Sequence, residues 1–131
     1  MSADRVHALL SEYERALARL QEAAKADPAL NDVVVDGTIQ RFEFTFELAW
    51  KMIKAVLEHQ GVLVQSPRAA IKEAFKVGLI GDGDGWIDML EDRNRTTHLY
   101  DEEQCRQVYA KIKEQYVGLM EKLNRDIRKS E

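Results

Sequence analysis

Residues Arg93-Asn94-Arg95-Thr96-Thr97-His98-Leu99-Tyr100 gather side chains that could do chemistry on a phosphate. Arginine presents a rigid fork of donors that matches phosphate oxygens. Histidine can take or give a proton near neutral pH. The position of the group is as notable as its composition. Trp86, Met89 and Leu90 define the apolar side of a helix, and three, four and seven residues beyond Leu90 stand Arg93, Asn94 and Thr97. Side chains at those spacings share a helix face. An arginine and an asparagine therefore stand where burial is expected, which is costly unless they are paired or functional. His98 follows Asn94 by four residues, so Arg93, Asn94, His98 and Tyr100 converge near a helix end. The plainer alternative is that Arg93 pairs with a carboxylate such as Glu43 or Glu47, while His98 hydrogen-bonds at the helix end.

Helical periodicity supplies the elements that must hold this group. Val6, Leu9, Tyr13, Leu17, Leu20 and Ala24 step by three or four, predicting a helix over Asp4 to Lys25 with a stop at Asp27-Pro28. A second helix is expected from Asn31 or Asp32 to Gly61. It is apolar on most of its circumference: Phe42, Phe46, Trp50, Ile53 and Leu57 form one stripe, and Phe44, Leu48, Met52 and Ala55 another. Such a helix is buried on more than one side, either in the middle of a bundle or at a subunit interface.

A short third helix should begin with Ser66 as N-cap and Pro67 as first residue, ending at Gly78. Gly81-Asp82-Gly83-Asp84-Gly85 reads as a turn whose aspartates cap a fourth helix from Trp86 to about Thr97. Asp101 and Gln104 look like a capping box for the last helix, whose core stripe is Cys105, Val108, Ile112, Tyr116, Leu119, Leu123 and Ile127. The expected fold is all-α: a four-helix up-and-down bundle with an additional short helix, one domain over residues 1–131.

Composition agrees. The 131 residues include 45% hydrophobic and 32% charged types, 2 prolines and 7 glycines, as expected for a folded chain of long helices. A net charge of −4 excludes a generally basic nucleic-acid coat protein but leaves room for a local basic site. The single cysteine, Cys105, excludes an internal disulfide framework. The first residues lack the apolar run of a signal peptide, and no stretch approaches the ~20 apolar residues that span a bilayer. A cytoplasmic location is the expectation, with no membrane partner.

Other candidate sites are plainer. The glycine–aspartate turn lacks the ligand pattern of an EF-hand, because Trp86 stands at the next position. His7, His59 and His98 have no metal-ligand spacing, so neither metal nor cofactor is expected. Glu47 and Lys51 read as an i,i+4 helix pair, and Arg68, Lys72 and Lys76 as a solvated face.

The run Arg93 to Tyr100 resembles the R-x₄-H-x-Y motif of HEPN-domain toxins. Gln40-Arg41-Phe42-Glu43-Phe44-Thr45-Phe46-Glu47-Leu48-Ala49-Trp50-Lys51 is more specific and resembles the subgroup called nucleotidyltransferase substrate-binding proteins. Ser66-Pro67-Arg68, Ala74-Phe75, Gly78-Leu79-Ile80 and Trp86 continue the likeness, which covers roughly Gly37 to Ile112.

The resemblance implies a HEPN-like bundle that forms a homodimer, bringing two arginine–histidine motifs together. It implies metal-independent RNA cleavage, with His98 as general acid/base, Arg93 stabilising the phosphorane charge, and Asn94 positioning phosphate or the arginine. Arg95 is a candidate for substrate binding that could offset the negative charge of Asp101, Glu102 and Glu103. Tyr100 corresponds to the tyrosine that the partner, a separately encoded minimal nucleotidyltransferase acting as antitoxin, modifies with AMP. Two functions follow: a ribonuclease toxin of a toxin–antitoxin pair, or a non-catalytic substrate-binding subunit of the nucleotidyltransferase. A helical scaffold whose Arg93 is only a buried ion pair is the third.

Overall fold

A computed structural model describes residues 2–26, 32–98 and 101–130. The described residues form helices joined by short turns, with no strand among them. Helix α1 runs Ser2–Ala24, α2 Asp32–His59, α3 Pro67–Lys76 and α4 Gly83–Arg95, followed by a 3₁₀ turn at Thr96–His98. The C-terminal rod comprises α5 (Glu102–Lys111), a π-helical turn (Ile112–Tyr116) and α6 (Val117–Ser130). The expected bundle of four longer helices and one short one is therefore present.

Local chemistry accounts for the ends. The Ser66 hydroxyl accepts from the Ala69 amide at 3.2 Å, and Pro67 needs no such acceptor. Gly61 and Gly78 have φ of +86° and +83°, a left-handed conformation that ends α2 and α3. The Asp82 carboxylate accepts from the Gly85 amide at 2.9 Å, so α4 starts at Gly83, three residues before the expected Trp86. Asp101 accepts from the Glu103 amide at 2.7 Å and caps α5. The Asp27-Pro28 stop and Asn31, the alternative cap for α2, lie outside the described residues.

The long helix α2 is the axis of the core. At ~1.5 Å per residue its 28 residues span about 42 Å. Phe42, Phe46, Ala49, Met52, Ile53 and Leu57 are fully buried along it. The Phe42 ring stacks on Tyr116 of the C-terminal rod at 5.5 Å, and Phe46 meets Trp86 of α4 at 6.3 Å. Each such burial contributes about 2–3 kcal/mol. On α1, Leu10, Tyr13, Leu17 and Leu20 face this core, and the Tyr13 hydroxyl donates to the Met120 carbonyl at 2.7 Å.

Stripes on three elements depart from simple helical spacing. On α1 the fully buried residue is Leu10, with the expected Leu9 only partly covered, and on α2 Ala49 is fully buried beside the expected Trp50, which is only partly covered. On α2, Met52 and Ala55 are buried as expected, but Leu48 is only partly covered and Phe44 is 64% exposed. In the C-terminal rod Met120 replaces Leu119 as the fully buried residue. The π-helical turn explains this: its wider turn steps the core residues by four from Val108 through Ile112 and Tyr116 to Met120.

Candidate functional site

The Phe46–Trp86 contact fixes α4 against α2, and this places the polar end of α4 beside Glu43 and Glu47. The Arg93 guanidinium donates from Nη2 to Glu47 Oε2 at 2.5 Å and from Nη1 to Asn94 Oδ1 at 3.3 Å. It also lies over the Phe46 ring, 5.8 Å from its centroid. Glu47 Oε1 is 3.7 Å from Lys51 Nζ, so the expected helix pair exists, with Arg93 as the nearer cation. The Thr96 hydroxyl donates to the Glu43 carboxylate and also approaches the Arg93 carbonyl at 2.8 Å.

Arg93, Asn94 and Thr97 line one open groove of about 480 Å³, together with Gln40, Glu43 and Phe44 of α2. Arg93 is half-buried, while Asn94 and Thr97 are exposed. The expectation of a polar group inside the core is thus corrected. The apolar stripe of α4 emerges from the core at Arg93, and its continuation forms a groove wall. Arg95 turns away from the groove, its Nε donating to Asp92 Oδ1 at 2.9 Å. His98 sits exposed on the 3₁₀ turn, outside the groove lining and without a hydrogen-bond partner among the described residues. Tyr100 lies outside the described residues.

The polar residue that α4 does bury is Asp92, 4% exposed. Its carboxylate accepts from the Tyr116 hydroxyl, from Arg95, and from Lys111 Nζ at 2.7 Å. Burial alone would push this carboxyl up, but the hydrogen bonds from Lys111, Tyr116 and Arg95 hold it below its ordinary value. Burial, followed by the Asp92 carboxylate, pushes the Tyr116 hydroxyl up. Asp92 was not among the residues singled out from sequence. The available signal was its place three residues after buried Met89 and seven after Gly85. This cluster ties the last turn of α4 to the π-helical turn, and so positions the backbone that carries Arg93 and Asn94.

No group of three or more histidine, cysteine or carboxylate side chains among the described residues could hold a metal. No described helix is long and apolar enough to cross a membrane. What the arrangement can do is bind an anion. The guanidinium of Arg93 can exchange Glu47 for a phosphate oxygen, with the Asn94 amide beside it.

The chain is 38% identical over 88 residues to a protein of Haemophilus influenzae (strain Rd) named "Probable ribonuclease HepT"; the match covers 63% of this chain and 60% of that protein's length. A crystal structure of a Thermus thermophilus protein superposes with a TM-score of 0.82 at 38% identity, covering 88% of this chain and 98% of the other. A second structure, from Haemophilus influenzae, is described as revealing the fold of a substrate binding domain of a nucleotidyltransferase. It has a TM-score of 0.69 at 27% identity and covers 95% of this chain and 98% of its own. Residues 8–129 match the family described as nucleotidyltransferase substrate binding protein like, and the chain belongs to that family.

Proposed function

We propose that this chain is the helical partner of a separately encoded minimal nucleotidyltransferase and cleaves RNA without a metal, as the toxin of a toxin–antitoxin pair. The observation that carries the reading is that Arg93 and Asn94 share an open groove at the end of α4, on the turn that leads directly to His98. The relative named as a ribonuclease and the family to which the chain belongs support it.

In this reading the ribose 2′-hydroxyl attacks the adjacent phosphorus and the bond to the 5′ oxygen breaks. His98 removes the hydroxyl proton and returns a proton to the leaving oxygen. Arg93 exchanges Glu47 for the phosphorane oxygens, and Asn94 holds phosphate or the arginine. Two copies of the chain supply two such motifs to one cleft in a homodimer. Tyr100 is the acceptor of AMP from the nucleotidyltransferase, which silences the site in the cytoplasm.

The deciding experiment incubates the purified chain with RNA in EDTA. Cleavage that leaves cyclic phosphate ends, and that disappears in folded Arg93→Ala and His98→Ala variants, supports the reading. A second reading, a non-catalytic subunit that presents substrate to the nucleotidyltransferase, is favoured by the close Arg93–Glu47 pair, which already balances the guanidinium charge. Intact RNA together with tight binding to the nucleotidyltransferase would select it.

A further inference from the structure

A larger groove, about 840 Å³, runs between α1 and α2 beside the Arg93 groove, and the two share Gln40 and Phe44. Its walls carry Arg15, Arg19 and Arg41 against one carboxylate, Glu12. None of the three arginines has a carboxylate partner among the described residues. Arg15 donates to the Ser11 hydroxyl at 3.0 Å. Arg41 is half-buried and held by the Arg19 backbone carbonyl at 2.8 Å, which uses one of its five donors and leaves the charge unpaired. In a chain of net charge −4, this is a concentration of unneutralised positive charge.

Phe44 stands where the two grooves meet, with its ring exposed. An exposed aromatic ring flanked by unpaired guanidinium groups is the combination that binds single-stranded nucleic acid: arginines track the phosphates and the ring stacks on an unpaired base. Arg15 and Arg19 lie one helical turn apart, about 6 Å along α1, so they can meet successive parts of one backbone. A second copy of this chain fits the groove less well. A two-fold contact centred here would set Arg15, Arg19 and Arg41 against their own copies, and like charges repel.

We propose that the α1–α2 groove is a binding track for single-stranded RNA, with Phe44 as its stacking platform, which delivers the strand to Arg93. That the strand is RNA rests on the nuclease reading above. The track itself rests on the unpaired arginines and the exposed ring.

The test uses the full chain carrying His98→Ala, so that the strand stays intact, and a fluorescein-labelled oligouridine of about 12 nucleotides, a length within the range of known single-strand sites. Anisotropy is read across a salt series in EDTA. Phe44→Ala is expected to weaken binding about tenfold. Arg15→Ala with Arg19→Ala is expected to lower the slope of log affinity against log salt by about 1.4. These residues are exposed, so melting curves should be unchanged.

The track is overturned if the parent chain does not bind the oligonucleotide, or if the variants bind it with the same affinity and salt slope. It is also overturned if the substitutions instead change the oligomeric state or release the nucleotidyltransferase, since the face is then a protein interface. Cleavage assays on the same groove variants with His98 restored separate the two proposals. Binding along the groove without cleavage defeats the nuclease reading alone. Cleavage that ignores the groove variants defeats the track alone.

Discussion

Glu47 Oε2 lies 2.5 Å from Arg93 Nη2, joining the middle of α2 to the last turn of α4 across 46 residues of chain. Both side chains are about one-third exposed, so the pair sits at the mouth of the groove and not inside the core. Its geometry is that of a latch. In the proposed reading, the guanidinium that meets a phosphate is the one this carboxylate occupies.

Glu47→Gln should therefore release Arg93 at little structural cost. A pair this exposed contributes about 1 kcal/mol or less, so urea midpoints should hardly move. Affinity for the labelled oligonucleotide should rise several-fold, with a steeper salt dependence. Weaker binding in a folded Glu47→Gln protein would show that the carboxylate orients Arg93 productively and does not compete for it.

Asp92 should matter more to the fold than any residue lining the Arg93 groove. Asp92→Ala strands the Tyr116 hydroxyl in the core and removes the partner of Lys111 and Arg95, although those two cations can rehydrate. The expected loss is about 2 kcal/mol, and about 1 kcal/mol for Tyr116→Phe. Because the groups touch, the double variant should lose less than the two losses added together. Denaturant unfolding of the three proteins measures all of these.

The same carboxyl predicts a pH dependence. Its folded pKa lies below the ordinary value of 3.8, because Lys111, Tyr116 and Arg95 outweigh burial. Its contribution is therefore fully present above the unfolded pKa and is lost as pH falls through the lower folded value. The stability gap between the parent and Asp92→Asn should stay constant above about pH 5 and shrink below about pH 4. Unfolding curves at a series of acid pH values would show a gap that widens toward acid if this sign were wrong.

Glycine substitutions should split by backbone conformation. At Gly78, φ of +83° disfavours any side chain, so Gly78→Ala should cost about 1 kcal/mol. Gly118 lies inside α6 with nothing within 4 Å of an added Cβ, so Gly118→Ala should stabilise by about 0.5–1 kcal/mol. Thermal melts that moved in the same direction for both would contradict the assignment.

The elements were legible in the sequence because helix formation is read locally. Ser66, Pro67, Asp82, Gly61 and Gly78 announce their ends through hydrogen bonds and φ preferences that involve only neighbouring residues. The apolar spacing of α2 likewise predicted the buried Phe42, Phe46 and Met52. Spacing also singled out Arg93 and Asn94 as out of place on their stripe, and Glu47 as one of two possible partners.

Tertiary structure alone decided the rest. Periodicity assumes a uniform helix, so it could not foresee that the π-helical turn would bury Met120 in place of Leu119. Nor could it show that the stripe of α4 leaves the core at Arg93, since that depends on where α2 stops covering it. The choice of Glu47 over Glu43 for Arg93, the burial of Asp92 beneath Tyr116, and the meeting of two grooves at Phe44 all join residues far apart in the chain. Pattern along one helix specifies which face is apolar. Only the packing of several helices specifies which polar groups share a low-dielectric space, and therefore which of them pair and which stay free for a ligand.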